Sequence, residues 1–516
     1  MTLKKRIVTI LALALCAGGI YGVGRLGITV QQNEEQEIES DSLFGRRETL
    51  YLWYTDEALT DYLNSVVVSY SEQQDDVRVV PVYTPGREYL ETINQASIHS
   101  EEVPDLYIVS NDSLEKAYLA GLASEVRLPE GVLPMADFFP ETAISAVTYH
   151  DKQIGYPFYF ETSCFLYNET YLKDWASAQI EAEKDAQAAE EAQAQLESEG
   201  APDEDRETAA DESVTDGGGA SAESAITEEE VQAKVAEALP KTIDDILAFA
   251  DVYDAPEQVE AVFKWDVSDI FYNYFFVGDS IDVGGRNGDQ ADSIHIYNEN
   301  AIKCMRVYQN LNQFFSIDTK EISYDGVLQD FMDGKIVCTV ATTDALSKIE
   351  SAVAEGNFDY EYGISTVPDV SAKLPSASLS VTQCVVVNGY SARKEMANDF
   401  AVYLTEYATD TLYARTGKLP VHDSGSIYDD PNKEAFLQEY MASVPMPKMV
   451  ETSNFWVELE ITFAKIWEGD DANAGLKALS EKIMSQVVGG EYTEEYIDVP
   501  EEVEEAYEDE EAASDE

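Results

Sequence analysis

The stretch Val103-Pro-Asp-Leu-Tyr-Ile-Val-Ser-Asn-Asp112 contains a continuous apolar run, Leu106 to Val109, that ends in polar residues. A short apolar run of this kind predicts a buried strand. The next residues, Ser113 to Ala120, have helical spacing. The stretch therefore predicts a strand followed directly by a helix.

The same unit occurs twice on the N-terminal side. Tyr51 to Tyr54 and Val77 to Tyr83 predict strands, and Leu59 to Tyr70 and Tyr89 to Ile98 predict the helices that follow them. Strands that alternate with helices are typical of α/β proteins with a parallel sheet. We therefore expect the α/β class.

On the C-terminal side the pattern changes before it resumes. Gly155 to Asn168 is rich in aromatic and β-branched residues and lacks a helical period. After residue 240, helices and strands are again predicted. The predicted helices are Thr242 to Asp251, Ala301 to Phe314, Lys394 to Tyr407, Val457 to Trp467 and Asn473 to Val487, and the predicted strands lie in Phe331 to Thr339, Tyr362 to Pro368 and Ala377 to Val387.

Residues 176–240 interrupt the alternation. Gln179 to Glu197 is dense in Ala, Glu and Gln, which favours a helix without an apolar face to bury, and Glu199 to Ala225 is rich in Gly, Asp and Ser. We interpret 176–240 as an Ala/Glu-rich insertion that is partly disordered. The acidic residues 491–516 are expected to form a disordered tail for the same reason.

The N-terminus predicts export. Lys4, Lys5 and Arg6 precede the apolar run Ile7 to Gly24, so residues 1–29 are typical of a signal peptide or a membrane anchor, and 30–47 form an acidic linker. Cys16 follows the large residue Leu15, which is a poor match to a lipoprotein signal. Cleavage, retention and lipidation remain open, and each places the rest of the chain outside the membrane.

The composition excludes some classes of function. The chain has 100 acidic and 33 basic residues, for a net charge of -67, and such a surface repels nucleic acid. Its 5 Cys show no CxxC motif and its 4 His are scattered, so neither a disulfide framework nor a zinc motif is indicated. We expect no metal and no cofactor.

Five segments, in this order, resemble the family 1 extracellular solute-binding proteins, the sugar-capturing subunits of ABC importers. No segment is specific alone, but their order along roughly 48–490 is. The segments are Val103 to Val126, Gly155 to Asn168, Phe331 to Thr339, Tyr362 to Pro368, and Met446-Pro447 with Ser453-Asn-Phe-Trp456.

The resemblance implies a two-lobe, periplasmic-binding-protein-like (type II) clamshell that closes on its ligand through hinge strands. Gly155 to Asn168 matches the crossover into the second lobe. The implied boundaries are 48–159 and 376–420 for the first lobe, and 162–365 and 421–490 for the second, which would contain the insertion.

The resemblance also implies a solute site at the strand ends. A sugar presents hydroxyl groups that donate and accept hydrogen bonds, on a ring with apolar faces, so carboxylates and aromatic side chains suit it. The residues that match family positions in the cleft, or lie near them, are Asp56, Asp112, Tyr159, Glu161, Trp265, Asp344 and Trp456.

Several of these residues have a structural alternative. Asp56 and Asp112 precede predicted helices and would also serve as helix caps. Trp456 starts a helix between apolar neighbours, which would also suit a core position. Glu161 is not easily explained as a cap, so we expect it to contact the solute.

One departure from the family concerns specificity. Where the maltose-binding pattern has a tryptophan after Val340, this chain has Ala341-Thr-Thr-Asp344, and Thr343 or Asp344 offers hydrogen bonds instead of a stacking face. Specificity for maltodextrins therefore does not carry over.

The resemblance implies a monomeric, non-catalytic receptor that captures a carbohydrate and delivers it to an ABC permease. The alternative is a membrane-anchored ligand sensor or interaction protein on the same fold. A glycosidase that uses Asp56, Asp112 or Glu161 would need two carboxyl groups at a defined separation, which the sequence does not specify.

Overall fold

The computed structural model describes residues 47–99, 103–199, 226–315 and 317–500. Its strands are β1 (Glu48–Tyr54), β2 (Val77–Tyr83), β3 (Leu106–Ser110), β4 (Thr148–Tyr149), β5 (Lys152–Gln153), β6 (Tyr156–Asn168), β7 (Ala261–Phe263), β8 (Asp282–Val283), β9 (Ile294–His295), β10 (Ile336–Thr342), β11 (Tyr362–Ser365), β12 (Leu379–Val387), β13 (Leu419–Pro420) and β14 (Val444–Pro445).

The α-helices follow the apolar periodicity of the sequence. They are α1 (Thr60–Gln73), α2 (Tyr89–His99), α3 (Leu114–Leu119), α4 (Glu141–Val147), α5 (Glu169–Glu199), α6 (Glu228–Ala238), α7 (Ile243–Val252), α8 (Glu299–Phe315), α9 (Tyr324–Met332), α10 (Asp344–Glu355), α11 (Lys394–Val402), α12 (Leu412–Thr416), α13 (Pro431–Ala442), α14 (Phe455–Trp467) and α15 (Ala472–Val488).

The main strands form a mixed sheet in the order β2-β1-β3-β12-β6-β10-β7. β1 and β3 are parallel, as are β10 and β7, but β12 runs antiparallel to β3 and to β6. The α/β class is confirmed, and the parallel sheet is interrupted by these central antiparallel strands. We call the side that carries β1, β2, β3 and β12 the first lobe, and the side that carries β7 and β10 the second lobe.

Strand β6 joins the two lobes. Tyr156 to Thr162 pair with β12, whereas Ser163 to Tyr167 pair with β10, so the strand changes its main partner between Thr162 and Ser163. Nearly all of its residues are buried, which explains why its sequence is apolar and aromatic without alternation. The predicted crossover therefore lies in this strand.

Helix α13 packs against β6. Tyr440 stacks on Phe160 with ring centroids 4.2 Å apart, and its hydroxyl lies 2.7 Å from that of Thr382 in β12. The Glu439 carboxylate accepts a hydrogen bond from the Val367 amide, 2.9 Å away. Helix α13 thus contacts both the crossover strand β6 and Val367 in the predicted return hinge. The boundaries implied by the resemblance place this helix in the second lobe.

The apolar residues form two clusters. The first contains the first-lobe strands and α1, and extends to α9, α10 and α13; the second contains α8, α14 and α15 around β7. Each lobe therefore has a substantial buried core, and the boundaries inferred from the sequence remain a prediction.

The helices at the two ends of the insertion are attached to the second lobe by a few buried residues, and of these only Ile180 falls in the stretch Gln179 to Glu197 that we expected to lack an apolar face. Ala176 and Ile180 of α5 and Val231 and Val235 of α6 are buried in the second cluster. Lys234 of α6 also pairs with Glu183 of α5, 2.7 Å away. These ends are part of the second lobe, while residues 200–225 lie outside the described ranges.

The start of the C-terminal tail is also ordered, which corrects the expectation for 491–500. Val499 is buried in the second cluster. Arg306 donates to the carbonyl oxygens of Val499 and Pro500, at 2.9 and 3.0 Å, and Asn473 donates to that of Ile497 at 2.8 Å. Disorder was predicted for residues 491–500 from their negative charge. Their backbone carbonyl groups and the buried Val499 nevertheless hold them against α8 and α15.

The predicted signal or anchor, 1–29, lies outside the described residues, as do most of the acidic linker and Cys16. Within the described ranges, no helix combines the length and apolar character that crossing a membrane requires.

Candidate functional site

A cavity of about 660 Å³ lies between the lobes, beside β6 and beyond the C-terminal end of β10. Ligand sites of open α/β sheets lie at such strand ends. Its lining residues are Glu161, Asp269, Ile270, Phe271, Tyr272, Tyr324, Asp325, Thr342, Thr343, Asp344, Lys348, Leu379, Val381, Lys418, Met446 and Trp456.

Aromatic side chains from the second lobe form part of the cavity wall. Trp456, in the first turn of α14, is partly exposed and packs against Phe455 and Tyr274, with ring centroids 4.9 and 5.6 Å apart. Tyr272 stacks on Tyr324 at 4.7 Å with an interplanar angle of 13°. These rings provide apolar faces of the kind that pack against the faces of a sugar.

A lysine with two carboxylates lies on the first-lobe side. The Lys418 ammonium is 3.2 Å from an Asp56 oxygen and 3.3 Å from a Glu161 oxygen, and it lies 5.6 Å from the centroid of the Tyr159 ring. Burial alone lowers the pKa of Lys418, but the adjacent carboxylates of Glu161 and Asp56 outweigh it and raise that pKa. We call these four residues the Lys418 cluster.

A second cluster of the same composition lies on the second-lobe side. The Lys348 ammonium is 2.8 Å from both an Asp325 and an Asp344 oxygen, and 5.0 Å from the centroid of the Tyr324 ring. We call these four residues the Lys348 cluster.

Within the Lys348 cluster, Asp344 has further hydrogen-bond donors. It accepts hydrogen bonds from the hydroxyls of Tyr324, at 2.7 Å, and Thr342. Burial raises the pKa of Asp344, but the hydrogen bonds from Lys348, Thr342 and Tyr324 outweigh it and hold that pKa below its ordinary value. Asp344 is therefore fixed as a carboxylate at neutral pH.

Three of the predicted site residues, Glu161, Asp344 and Trp456, line the cavity together. Asp56 and Tyr159 lie just behind its lining, in contact with Lys418. Asp56 also has the structural role considered above, because its carboxylate accepts a hydrogen bond from the Ala58 amide at the start of a short 3-10 helix.

Asp112 does not line the cavity. It lies in the turn after β3, where its carboxylate accepts a hydrogen bond from the Ser110 hydroxyl. The adjacent Asn111 is fully buried, donates to the Met446 carbonyl at 2.6 Å and accepts from the Thr382 amide at 3.0 Å. The strand end is thus held to the cavity-lining Met446 segment by the amide of Asn111.

Trp265 lies in the core, which corrects its prediction as a cleft residue. It has no exposed surface, and its Nε1 donates to Asn273 at 2.8 Å. It stacks on Phe263 at 4.6 Å and contacts Trp467 edge-to-face at 5.6 Å. The loose match to the family in this stretch placed it wrongly.

Four residues of the site were not predicted from the sequence. They are Lys348, Lys418 and the stacked pair Tyr272 and Tyr324. Lys418 is 257 positions from Glu161, and no local pattern reports a contact over that distance. Lys348, by contrast, follows Asp344 by four residues, and this i,i+4 spacing was a local signal of an ion pair on a helix.

In the described ranges, no group of three or more His, Cys, Asp or Glu side chains is arranged to hold a metal ion. The cysteines there, Cys164, Cys304, Cys338 and Cys384, are free and buried.

Solved sugar-binding proteins share this fold. An extracellular solute-binding protein from Staphylococcus aureus in complex with maltose has a TM-score of 0.62 and 18% identity, over 86% of this chain and 99% of that chain. A cyclo/maltodextrin-binding protein complexed with maltotetraose has 0.63 and 17%, over 86% and 98%. The maltose-binding periplasmic protein MalE from Listeria monocytogenes, in complex with maltose, has 0.61 and 19%, over 86% and 99%.

A search of curated protein sequences gives no significant match. The sequence profile of a family described as "Bacterial extracellular solute-binding protein", by contrast, matches residues 65–431. This match spans the strands β2 to β13 and the main cavity-lining elements apart from α14. The chain belongs to the bacterial extracellular solute-binding proteins, and the predicted resemblance is confirmed at that level.

Proposed function

We propose that this protein captures a carbohydrate in the cavity between its lobes and delivers it to the permease of an ABC importer at the outer face of the cell membrane. The observation that carries this proposal is the combination, in one cavity, of partly exposed aromatic rings with carboxylates and lysines. The family membership supports the solute-binding role, and the sugars bound in the structural neighbours suggest the class of solute.

The chemistry of the lining suits a neutral polyhydroxylated solute. Glu161 and Asp344 supply hydrogen-bond acceptors, Lys418 and Lys348 supply donors, and Trp456 supplies an apolar face. A cavity of about 660 Å³ is in the range of small-molecule sites. The stretch Ala341-Thr-Thr-Asp344 provides hydrogen-bonding groups instead of a second stacking ring, so we do not restrict the solute to a maltodextrin.

The test is a binding screen with purified residues 47–500. Binding of each sugar in a panel of neutral mono- and oligosaccharides is first detected by thermal shift. The Kd of each sugar that binds is then measured by isothermal calorimetry. A sugar at 100 times its Kd should stabilise the folded protein by about 2.7 kcal/mol. A folded protein that binds no sugar in the panel would contradict the carbohydrate proposal.

Substitutions at the site then test its location. Trp456→Ala should weaken binding of the sugar found by about tenfold, since ring stacking contributes about 1 kcal/mol beyond burial of area. Glu161→Gln should have an effect of similar or larger size, because hydrogen bonds to charged groups contribute about 1.5–3 kcal/mol.

The matched control is Val457→Ala. Val457 is the next residue of α14 but is 59% exposed and does not line the cavity. It should bind as the unaltered protein does. Normal binding by folded Trp456→Ala and Glu161→Gln would place the sugar elsewhere.

Delivery to a permease requires a separate test. Import of the identified sugar should be lost when the gene is deleted and restored by the unaltered protein, whereas Trp456→Ala should restore it only at about tenfold higher sugar concentration. Undiminished import after deletion would favour the ligand sensor on the same fold.

A further inference from the structure

The Lys418 and Lys348 clusters have the same composition, although they lie in different lobes. Each contains one ammonium group bound by two carboxylates, with a tyrosine ring beside the ammonium. Both lysines line the cavity between the lobes. Each cluster therefore has a formal charge of -1, and its ammonium occupies the position between the carboxylates.

We propose that Lys418 determines the charge class of the solute, because its ammonium occupies the place that a cationic group of a solute would otherwise take between Asp56 and Glu161. The inference rests on the proposed function, since it refines which carbohydrates the cavity accepts. Neutral sugars are bound, amino sugars are disfavoured by the resident lysine, and acidic sugars are disfavoured by the net negative charge.

The distances within the Lys418 cluster disfavour an amino sugar. The Lys418 ammonium lies 3.2 and 3.3 Å from the two carboxylates, which are ion-pair distances. A solute ammonium placed beside them would meet a like charge at close range, and like charges repel strongly where water is partly excluded. Without the lysine, the same carboxylates would form a site for one cation.

The summed charge of the cavity lining disfavours an acidic sugar. The cavity lining includes Lys418 and Lys348, but also Glu161 and Asp344 together with exposed Asp269 and Asp325. A uronate would add a negative charge to a wall that already has an excess of carboxylates. A hydroxyl group, by contrast, can donate to a carboxylate and accept from an ammonium.

The two clusters should differ in strength. Among the described residues, Lys418 is the hydrogen-bond partner of the Glu161 carboxylate. Without its lysine, each cluster keeps one carboxylate with another donor, because Asp56 keeps the Ala58 amide and Asp344 keeps two hydroxyls. The other carboxylate differs in exposure: the side chain of Glu161 is 41% exposed and that of Asp325 is 84% exposed, so water screens Asp325 more. Removing Lys418 should therefore open a stronger site for a cation than removing Lys348.

The experiment compares D-glucose with D-glucosamine, which has an ammonium in place of the C2 hydroxyl. The Kd of each is measured by calorimetry for the unaltered protein, Lys418→Met, Lys418→Gln and Lys348→Met, all with folding checked by circular dichroism. The ratio of the glucosamine Kd to the glucose Kd should fall at least about tenfold in Lys418→Met and Lys418→Gln, and less in Lys348→Met.

Two control variants test whether the change in the Kd ratio depends on the charge of residue 418. They exclude a change in side-chain shape and the loss of a lysine elsewhere on the surface as its cause. Lys418→Arg keeps the cation and should keep the ratio of the unaltered protein. Lys465→Met removes an exposed lysine of α14 outside the cavity and should also keep it. D-glucuronate should bind the unaltered protein more weakly than glucose does.

The inference is overturned if folded Lys418→Met and Lys418→Gln show the ratio of the unaltered protein, or bind neither sugar. It is also overturned if Lys418→Arg shows the same fall. Failure of the proposed function would look different: the unaltered protein would bind no neutral sugar in the wider panel, whereas glucosamine would still bind to Lys418→Met.

Discussion

The second lobe contains two regions that are both rich in aromatic residues but have different roles. Around Trp265, the rings pack on one another in a dry core, and the indole nitrogen has a partner inside the protein. Trp456, by contrast, packs on the buried rings of Phe455 and Tyr274 and also lines the cavity. The comparison teaches that aromatic composition alone does not identify a sugar site, and that a ring with an unpacked face beside polar groups does.

The largest expected effect is a loss of stability in the packed core around Trp265. Trp265→Ala should lower the free energy of unfolding by about 3–5 kcal/mol, because it removes a fully buried side chain and leaves a cavity. Urea unfolding measures the change. Trp456→Ala, whose ring is partly exposed, should cost clearly less stability, and an equal loss in the two variants would show that both rings belong to the core.

The same comparison applies to carboxyl groups. Asp344 in the cavity is hydrogen-bonded and has a lowered pKa, whereas Glu406 is 1% exposed and no described residue hydrogen-bonds its carboxyl oxygens. Burial raises the pKa of Glu406 from 4.5 to about 7. Asp344 is thus an ionised acceptor in the cavity. Glu406, by contrast, stays protonated in the folded protein up to about pH 7.

The second prediction follows from this raised pKa. Between pH 4.5 and about 7, the unfolded chain loses the Glu406 proton while the folded chain retains it, so the stability conferred by this group falls as the pH rises. Glu406→Gln should therefore stabilise the protein by about 1–3 kcal/mol at pH 8 and have little effect below pH 4.5. Thermal unfolding across this range measures the difference.

Glu439 provides the control for that prediction. It is also buried, and burial raises its pKa, but the hydrogen bond that its carboxylate accepts from the Val367 amide opposes part of this rise. Glu439→Gln should lose part of this interaction and give no comparable gain at pH 8. A stabilisation by Glu406→Gln that is independent of pH would contradict the assignment of the effect to ionisation.

The third prediction tests whether the Tyr324 hydroxyl in the cavity contributes to sugar binding. Tyr324→Phe keeps the stacked ring but removes the hydroxyl that donates to Asp344. The sugar identified in the screen should bind about 3- to 10-fold more weakly, as expected for loss of one hydrogen bond. Tyr297→Phe is the control, because it removes a buried hydroxyl that bonds Asn473 away from the cavity. Equal losses of affinity in the two variants would refute a role for Tyr324 at the site.

The alternation of apolar strands and helices predicted the α/β class, whereas the two lobes and three of the cavity-lining residues were implied by the resemblance to the solute-binding family. Asp344 and Trp456 lie in the first turn of a helix, and Glu161 lies within the long crossover strand β6. Lys418 was missed because its partners are distant in the chain, and Trp265 was misplaced because a core ring and a cavity ring have the same local pattern. The insertion ends were misjudged because a few buried residues, such as Val231 and Val235, suffice to attach a helix.

The smallest expected effect concerns the surface end of the insertion. The side chains of residues 186–194 are exposed, and Lys184 of α5 lies 3.5 Å from Glu230 of α6, so the two helices are already close where a short connection would join them. Replacing residues 185–225 with a Gly/Ser linker should change the free energy of unfolding by less than about 0.5 kcal/mol, as for most surface changes. Val235→Ala should cost more, since it removes buried methyl groups. If the linker variant loses more stability than Val235→Ala does, the exposed part of the insertion contributes to the fold, and the distinction between packed and exposed faces fails for this segment.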